Sequence, residues 1–198
     1  MYKVAIFDLD GTIADTVVSI AKASNMALED CGLQGRPVEE YNYYAGDGVQ
    51  VLVERALKAA GDIEGEHMKH ALERYQHHFE QYCTFEVKPY EGMIETLDYM
   101  KNIGMNIAVL TNKPHKRAVT VVETIFGKGY FDLILGQQED LPKKPDPEGA
   151  FVIASNFKAQ PSECIYIGDT NVDMETGNAA GMYTVGVLWG FRTKEELI

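Results

Sequence analysis

Four clusters of polar residues in this 198-residue chain have types and spacings that can do chemistry. The first is Asp8, Asp10 and Thr12 within Asp8-Leu9-Asp10-Gly11-Thr12. The others are Thr111, Asn112 and Lys113; Lys144, followed by Pro145; and Asp169 and Asp173 within Gly168-Asp169-Thr170-Asn171-Val172-Asp173. If they meet, at least three carboxylates converge, and these cannot all stay ionised unless a cation sits among them. A hard divalent ion with oxygen ligands and retained waters, Mg²⁺, suits such a donor set. Lys144 and the threonines add donors for the oxygens of a phosphate. An aspartate carboxylate can act as a nucleophile that takes up a phosphoryl group. An acid two residues further on returns to the same face of the chain and can reach the leaving oxygen. Taken singly, Asp10-Gly11 is only a common turn dipeptide; the four clusters together point to chemistry.

The elements that must position these clusters alternate. Tyr2–Phe7 is short, apolar and partly β-branched, as expected of a strand buried on both faces of a parallel sheet. Further buried strands are expected over 106–110, 131–135, 164–167 and 183–188, with the first of these closed by Thr111-Asn112-Lys113-Pro114. Between them the periodicity predicts helices over 93–102, 115–126 and 148–157, and a short one ending at Gly181. Strands alternating with helices imply an α/β fold with a parallel sheet. Ligands bind such sheets outside the carboxyl ends of the strands, and the polar clusters lie at those ends or in a loop nearby.

Residues 15–85 break the alternation. Apolar residues at 17, 20, 21, 27 and 28 follow helical spacing, with Asp15 or Thr16 as cap and Cys31-Gly32 as stop. A short helix is expected from Pro37 through Tyr44, another over 49–60 stopped by Gly61, and a long polar one over 64–82. The expected organisation is therefore a core formed by 1–14 and 86–198, with 15–85 as an all-helical insertion over the carboxyl edge of the sheet.

Composition sets the class. The net charge of −12 and the absence of a basic face argue against a nucleic-acid partner. Three scattered cysteines without a CxxC spacing imply no disulfide framework and a reducing compartment. The first apolar run ends at Asp8, too soon for a signal peptide, and no stretch approaches the ~18 apolar residues of a membrane span. A cytoplasmic protein that works as a monomer or homodimer is expected.

Asp8-Leu9-Asp10-Gly11-Thr12, Thr111, Lys144-Pro145 and Gly168-Asp169-Thr170-Asn171-Val172-Asp173, in that order, resemble the haloacid dehalogenase-like hydrolase superfamily. The resemblance implies a Rossmann-like sheet in the order 5-4-1-2-3 with a helical cap domain inserted after the first strand. It makes Asp8 the nucleophile that forms an aspartyl-phosphate, and Asp10 the acid that serves the leaving alcohol and then the attacking water. Thr111 and Lys144 would hold the phosphoryl oxygens, with Asn112 and Lys113 beside them on the substrate side. Asp8, the backbone carbonyl of Asp10, and Asp169 would bind Mg²⁺, and Asp173 would support the metal's water shell or orient Lys144. Thr12 would brace the loop. Dehalogenases and phosphonatases of the superfamily lack an acid two residues after the nucleophile, so Asp10 favours phosphate-ester chemistry.

Within the superfamily the chain looks most like the phosphoglycolate phosphatase group. The supporting stretches are Pro89-Tyr90-Glu91-Gly92-Met93, Thr111-Asn112-Lys113, Lys144-Pro145-Asp146-Pro147 and Val187-Leu188-Trp189-Gly190-Phe191. The implied substrate is a small phosphorylated metabolite, with 2-phosphoglycolate as the group's own. One alternative is a sugar-phosphate mutase, whose usual histidine in the first cap helix is missing around Ile20. Another is a non-catalytic phosphate sensor, which would be expected to have lost an acid. Relatives usually continue past Glu195-Glu196-Leu197, whereas this chain stops at Ile198.

Other residues have plainer readings. His67, His70, His77 and His78 are expected on a solvated helix face, and His115 at a helix start. Arg36, Arg55 and Arg74 read as surface charges, although each could meet a substrate anion. Tyr41, Tyr43 and Tyr44 are expected to pack within the helical insertion, Trp189 in the core or at the sheet edge, and Cys164 as an inert strand residue.

Overall fold

The computed structural model describes residues 2–198. Two strands, β1 (Val4–Phe7) and β2 (Ala14–Asp15), open the chain. Four helices follow: α1 (Val17–Asp30), α2 (Tyr41–Tyr44), α3 (Val49–Ala59) and α4 (Met68–Tyr82). The chain then runs through β3 (Lys88–Pro89), α5 (Met93–Asn102), β4 (Asn106–Pro114), α6 (His115–Phe126) and β5 (Leu133–Gln137). It ends with α7 (Glu148–Asn156), β6 (Cys164–Gly168), α8 (Asn171–Ala179) and β7 (Tyr183–Gly186). These elements fall into two units, residues 2–15 with 88–198 and residues 16–87.

The first unit is a five-stranded parallel sheet in the order β5-β4-β1-β6-β7. Counted along the chain among the sheet strands alone, this is 3-2-1-4-5, the expected 5-4-1-2-3 read from the other edge. β1 is buried along its whole length, because helices cover both faces of a sheet of this kind. On one face, Ile153 and Ala150 of α7 join Val4, Ile6, Leu110, Leu135 and Tyr166 in a continuous apolar core.

Register brings the polar clusters together. Phe7 lies level with Val109 on one side and Ile167 on the other. Asp8, Thr111 and Asp169 therefore leave the same edge of the sheet within two residues of one line. Two details differ from expectation. β4 continues through Thr111-Asn112-Lys113 to Pro114, where it pairs with Gln137 after a register shift beyond Leu110. The predicted loop is thus a bulged strand end, and its side chains are held by sheet pairing. β2 and β3 form a two-stranded antiparallel ribbon, with Ala14 opposite Pro89; two residues per strand are too few to show a period.

The second unit is all helical. α1 packs on α4, and α3 packs on both. Thr16 stands at the N-cap position of α1, but its side chain makes no capping bond. α4 begins at Met68 rather than 64, because Asp62 takes the backbone N–H groups of Glu66 and His67 in the turn before it. His78 departs from the expected solvated face: it is buried, and its Nε2 lies 2.7 Å from Asp30, which also accepts from Arg74. Those two bonds hold Asp30 below the usual carboxylate range and tie the end of α1 to α4. Arg36 pairs with Glu40, and Arg55 with Asp47. Tyr41 is fully buried and donates to Asn25, whereas Tyr43 is exposed. No helix among the described residues is long and apolar enough to cross a membrane.

Candidate active site

Asp8 is the first residue beyond β1, and its N–H donates to Ile167 of the neighbouring strand. Its carboxylate is buried and accepts from Lys144 Nζ at 2.7 Å. The same ammonium donates to Asp173 Oδ1, also at 2.7 Å. Lys144 arrives on a loop, and Asn112 fixes that loop: its side chain accepts from the Lys144 N–H at 2.9 Å and donates to the Lys144 carbonyl at 3.1 Å. Asn112 thus holds the backbone of Lys144 with both ends of its amide. Thr111 Oγ1 accepts from the Lys113 N–H at 3.2 Å.

Asp173 sits in the first turn of α8, where it completes a capping box with Thr170. Its Oδ2 accepts from the Thr170 N–H and hydroxyl. Its other oxygen takes Lys144 and, at 3.4 Å, the Tyr166 hydroxyl. Asp169 lies just beyond β6 and is wholly buried. Its Oδ1 accepts from the Thr12 hydroxyl at 2.8 Å and its Oδ2 from the Phe191 N–H at 2.7 Å. Gly11 is in the left-handed region, with φ +87°, where its Cα faces this carboxylate; a Cβ there would stand 2.3 Å from Asp169 Oδ2.

Asp8, Asp169 and Asp173 each offer a carboxylate oxygen, and these oxygens all lie within 4.8 Å of one another. Lys144 is the cation the side chains place among them. Burial pushes Asp8 up from 3.8 to about 7, with Asp173 and Asp10 adding to the rise and Lys144 opposing it. Burial likewise pushes Asp169 up to about 8, helped by Asp173 and Asp8 and opposed by the Phe191 N–H and the Thr12 hydroxyl. Burial alone would depress Lys144, but Asp173 and Asp8 outweigh it and hold the ammonium firmly protonated. The side chains therefore leave this pocket short of positive charge. A hard divalent cation fits that deficit and that all-oxygen donor set.

Asp10 lies apart from the trio. Lys113 Nζ grips both of its oxygens, at 2.6 and 2.9 Å. Lys113 itself is buried. The second acid is thus held in place by its own lysine. Trp189 is the largest departure from expectation: its ring is half exposed, and its Nε1 donates to the Thr12 carbonyl at 3.0 Å. Nothing in the spacing places the Gly190-Phe191 backbone against Asp169; the available signal is a Trp-Gly-Phe run beginning at Trp189, shortly after β7.

A sheet of this order with three buried aspartates and a lysine at its carboxyl edge defines a class, and a family model says which. Residues 5–187 match haloacid dehalogenase-like hydrolase, and the chain belongs to that family. Among individual relatives, it is 31% identical over 189 residues to a phosphoglycolate phosphatase of Aquifex aeolicus, covering 96% of this chain and 86% of the relative. Its fold superposes on a Lactobacillus delbrueckii protein provisionally named a phosphoglycolate phosphatase, with a TM-score of 0.91 at 30% identity, over 99% of this chain and 90% of the other. A predicted phosphoglycolate phosphatase from Haemophilus somnus gives a TM-score of 0.89 at 26% identity, over 96% and 86%.

Proposed function

We propose that this hydrolase is an Mg²⁺-dependent phosphatase of small phosphomonoesters, with 2-phosphoglycolate as the first substrate to test. The observation that carries the reading is Asp8: a buried carboxylate bonded to Lys144 and flanked two residues on by a second acid. In this reading Asp8 attacks phosphorus and the ester oxygen leaves, giving an aspartyl-phosphate and an alcohol. Asp10 gives the leaving oxygen its proton, then takes one from the water that attacks the aspartyl-phosphate. Orthophosphate leaves, and Asp8 is restored.

Lys144 offsets charge on Asp8 and on the phosphoryl oxygens, and Asn112 and Asp173 hold it in place. Thr111 faces the phosphoryl group, and Lys113 orients the Asp10 carboxyl. Asp8, the Asp10 carbonyl and Asp169 would hold Mg²⁺, with Asp173 behind them; bound there, the ion neutralises charge on the transferring phosphoryl group. Residues 1–14 with 86–198 serve as the catalytic core, and the helical insertion 15–85 is the cap in which substrate choice resides. The small acidic protein works in the cytoplasm.

The test is phosphate release from a panel of phosphomonoesters including 2-phosphoglycolate, with Mg²⁺ or with chelator, for the wild type and Asp8→Asn. The expected result is Mg²⁺-dependent release that falls at least ~1,000-fold in the variant, with the circular dichroism spectrum unchanged. Full activity in Asp8→Asn would end the mechanism. Ester binding without release by the wild type would turn the reading toward a sensor.

A further inference from the structure

Val187–Phe191 follows the last sheet strand and takes no part in the chemistry proposed above. Its contacts nevertheless converge on one carboxylate. The Phe191 N–H donates to Asp169 Oδ2, and the Trp189 indole donates to the carbonyl of Thr12, whose hydroxyl donates to Asp169 Oδ1. Both Asp169 oxygens are thus held through the segment, one directly and one through a single residue. The segment is anchored at its start by the Val187 N–H on the Gly168 carbonyl, the residue just before Asp169.

Gly190 closes the arrangement. A Cβ on it would stand 2.4 Å from the Cβ and Oδ2 of Asp169 and from the Gly11 carbonyl. Real side chains do not occupy such space, and the nearest atoms are backbone or a short buried carboxylate with nowhere to go. Only glycine lets the segment lie flat on Asp169.

We propose that Val187–Phe191 is a strap that sets the position of Asp169 as a metal ligand, with Trp189 and Gly190 as its positioning residues, and that Trp189 emission reports occupancy of the metal site. The inference rests on the reading of Asp169 as a metal ligand. It does not depend on which ester is hydrolysed. Partners of this kind around a ligating carboxylate fix its orientation, and losing one typically weakens metal binding. Trp189 is the chain's single tryptophan, so its emission is read without overlap.

The experiment is titration of substrate-free protein with Mg²⁺, followed in parallel by calorimetry and by tryptophan emission. For the wild type, the emission should change with the same midpoint as the heat. Gly190→Ala should weaken Mg²⁺ by roughly 10–100-fold and Trp189→Phe, read by calorimetry, by a few-fold. Phe191→Leu keeps the backbone N–H and should stay within about twofold of the wild type. If Gly190→Ala does not fold, Trp189→Phe and Thr12→Val carry the same comparison, because each cuts the path through Thr12.

Wild-type affinity in all of the folded strap variants would overturn the strap while leaving the metal site standing. Heat of binding without any change in emission would overturn the reporting role. A wild type that binds no Mg²⁺ would overturn the reading of Asp169 on which the strap depends. Weakened Mg²⁺ binding in Gly190→Ala and Trp189→Phe, with Phe191→Leu unchanged, would establish it.

Discussion

Lys144 meets two carboxylates at equal distance, 2.7 Å each, with almost no exposure of its ammonium. An ion pair in that setting owes its persistence to desolvation being offset by two partners and by further hydrogen bonds to them. Removing the cation leaves the acids facing each other, so Lys144→Met should be severe in two separable ways. Stability should fall by about 3–5 kcal/mol at pH 8, where Asp8 would otherwise be charged, and by less near pH 5, where Asp8 can take up a proton. Denaturant melts at the two pH values read this directly. Turnover should be lost at both, and addition of Mg²⁺ should restore part of the stability without restoring turnover. Equal destabilisation at both pH values would mean that Lys144 acts through packing rather than through charge.

At the scale of elements, β4 shows what spacing reveals and what it hides. Its apolar run predicts a buried strand, and Asn106–Leu110 is one. The polar residues that follow read as a loop because neither hydrophobic period continues into them, yet Pro114 still pairs with β5. That continuation lets Asn112 reach across to the Lys144 loop. Asn112→Ala removes both bonds to the Lys144 backbone and leaves a buried N–H and C=O without partners. The expected cost is about 1–3 kcal/mol for each group left unsatisfied. kcat should fall more than KM rises, since Asn112 positions Lys144; a change confined to KM would instead place Asn112 on the substrate. The strands and the clusters at their ends were legible because burial in a parallel sheet leaves a continuous apolar signature; their order came from the family resemblance. Tertiary partners left none. The pairing of His78 with Asp30, the grip of Lys113 on Asp10 and the strap over Asp169 join residues from 22 to 177 positions apart.

At the scale of the whole molecule, the acidic pocket makes stability depend on pH and cation together. Asp8 and Asp169 titrate near 3.8 in the unfolded chain but near 7 and 8 when folded without a metal. Between about pH 4 and pH 8 the native state therefore holds protons on these groups that the unfolded chain has released, and stability contributed by them falls as pH rises. Mg²⁺ bound as proposed would act in the opposite sense, taking the native carboxylates once the protons have left. In chelator the Tm should fall from pH 5 to pH 8. At free Mg²⁺ 100-fold above its dissociation constant, the native state gains about 2.7 kcal/mol, roughly 5–10 °C for a chain of this size. That increment should be full near pH 8 and small near pH 5, where protons compete for the same oxygens. Asp169→Asn removes one ligand charge and one of the two raised carboxyls. In it the Mg²⁺ increment should shrink at pH 8, and the decline in chelator should flatten. Differential scanning of both proteins with Mg²⁺ and with chelator at the two pH values decides it. A wild-type increment independent of pH would place the cation away from Asp8 and Asp169.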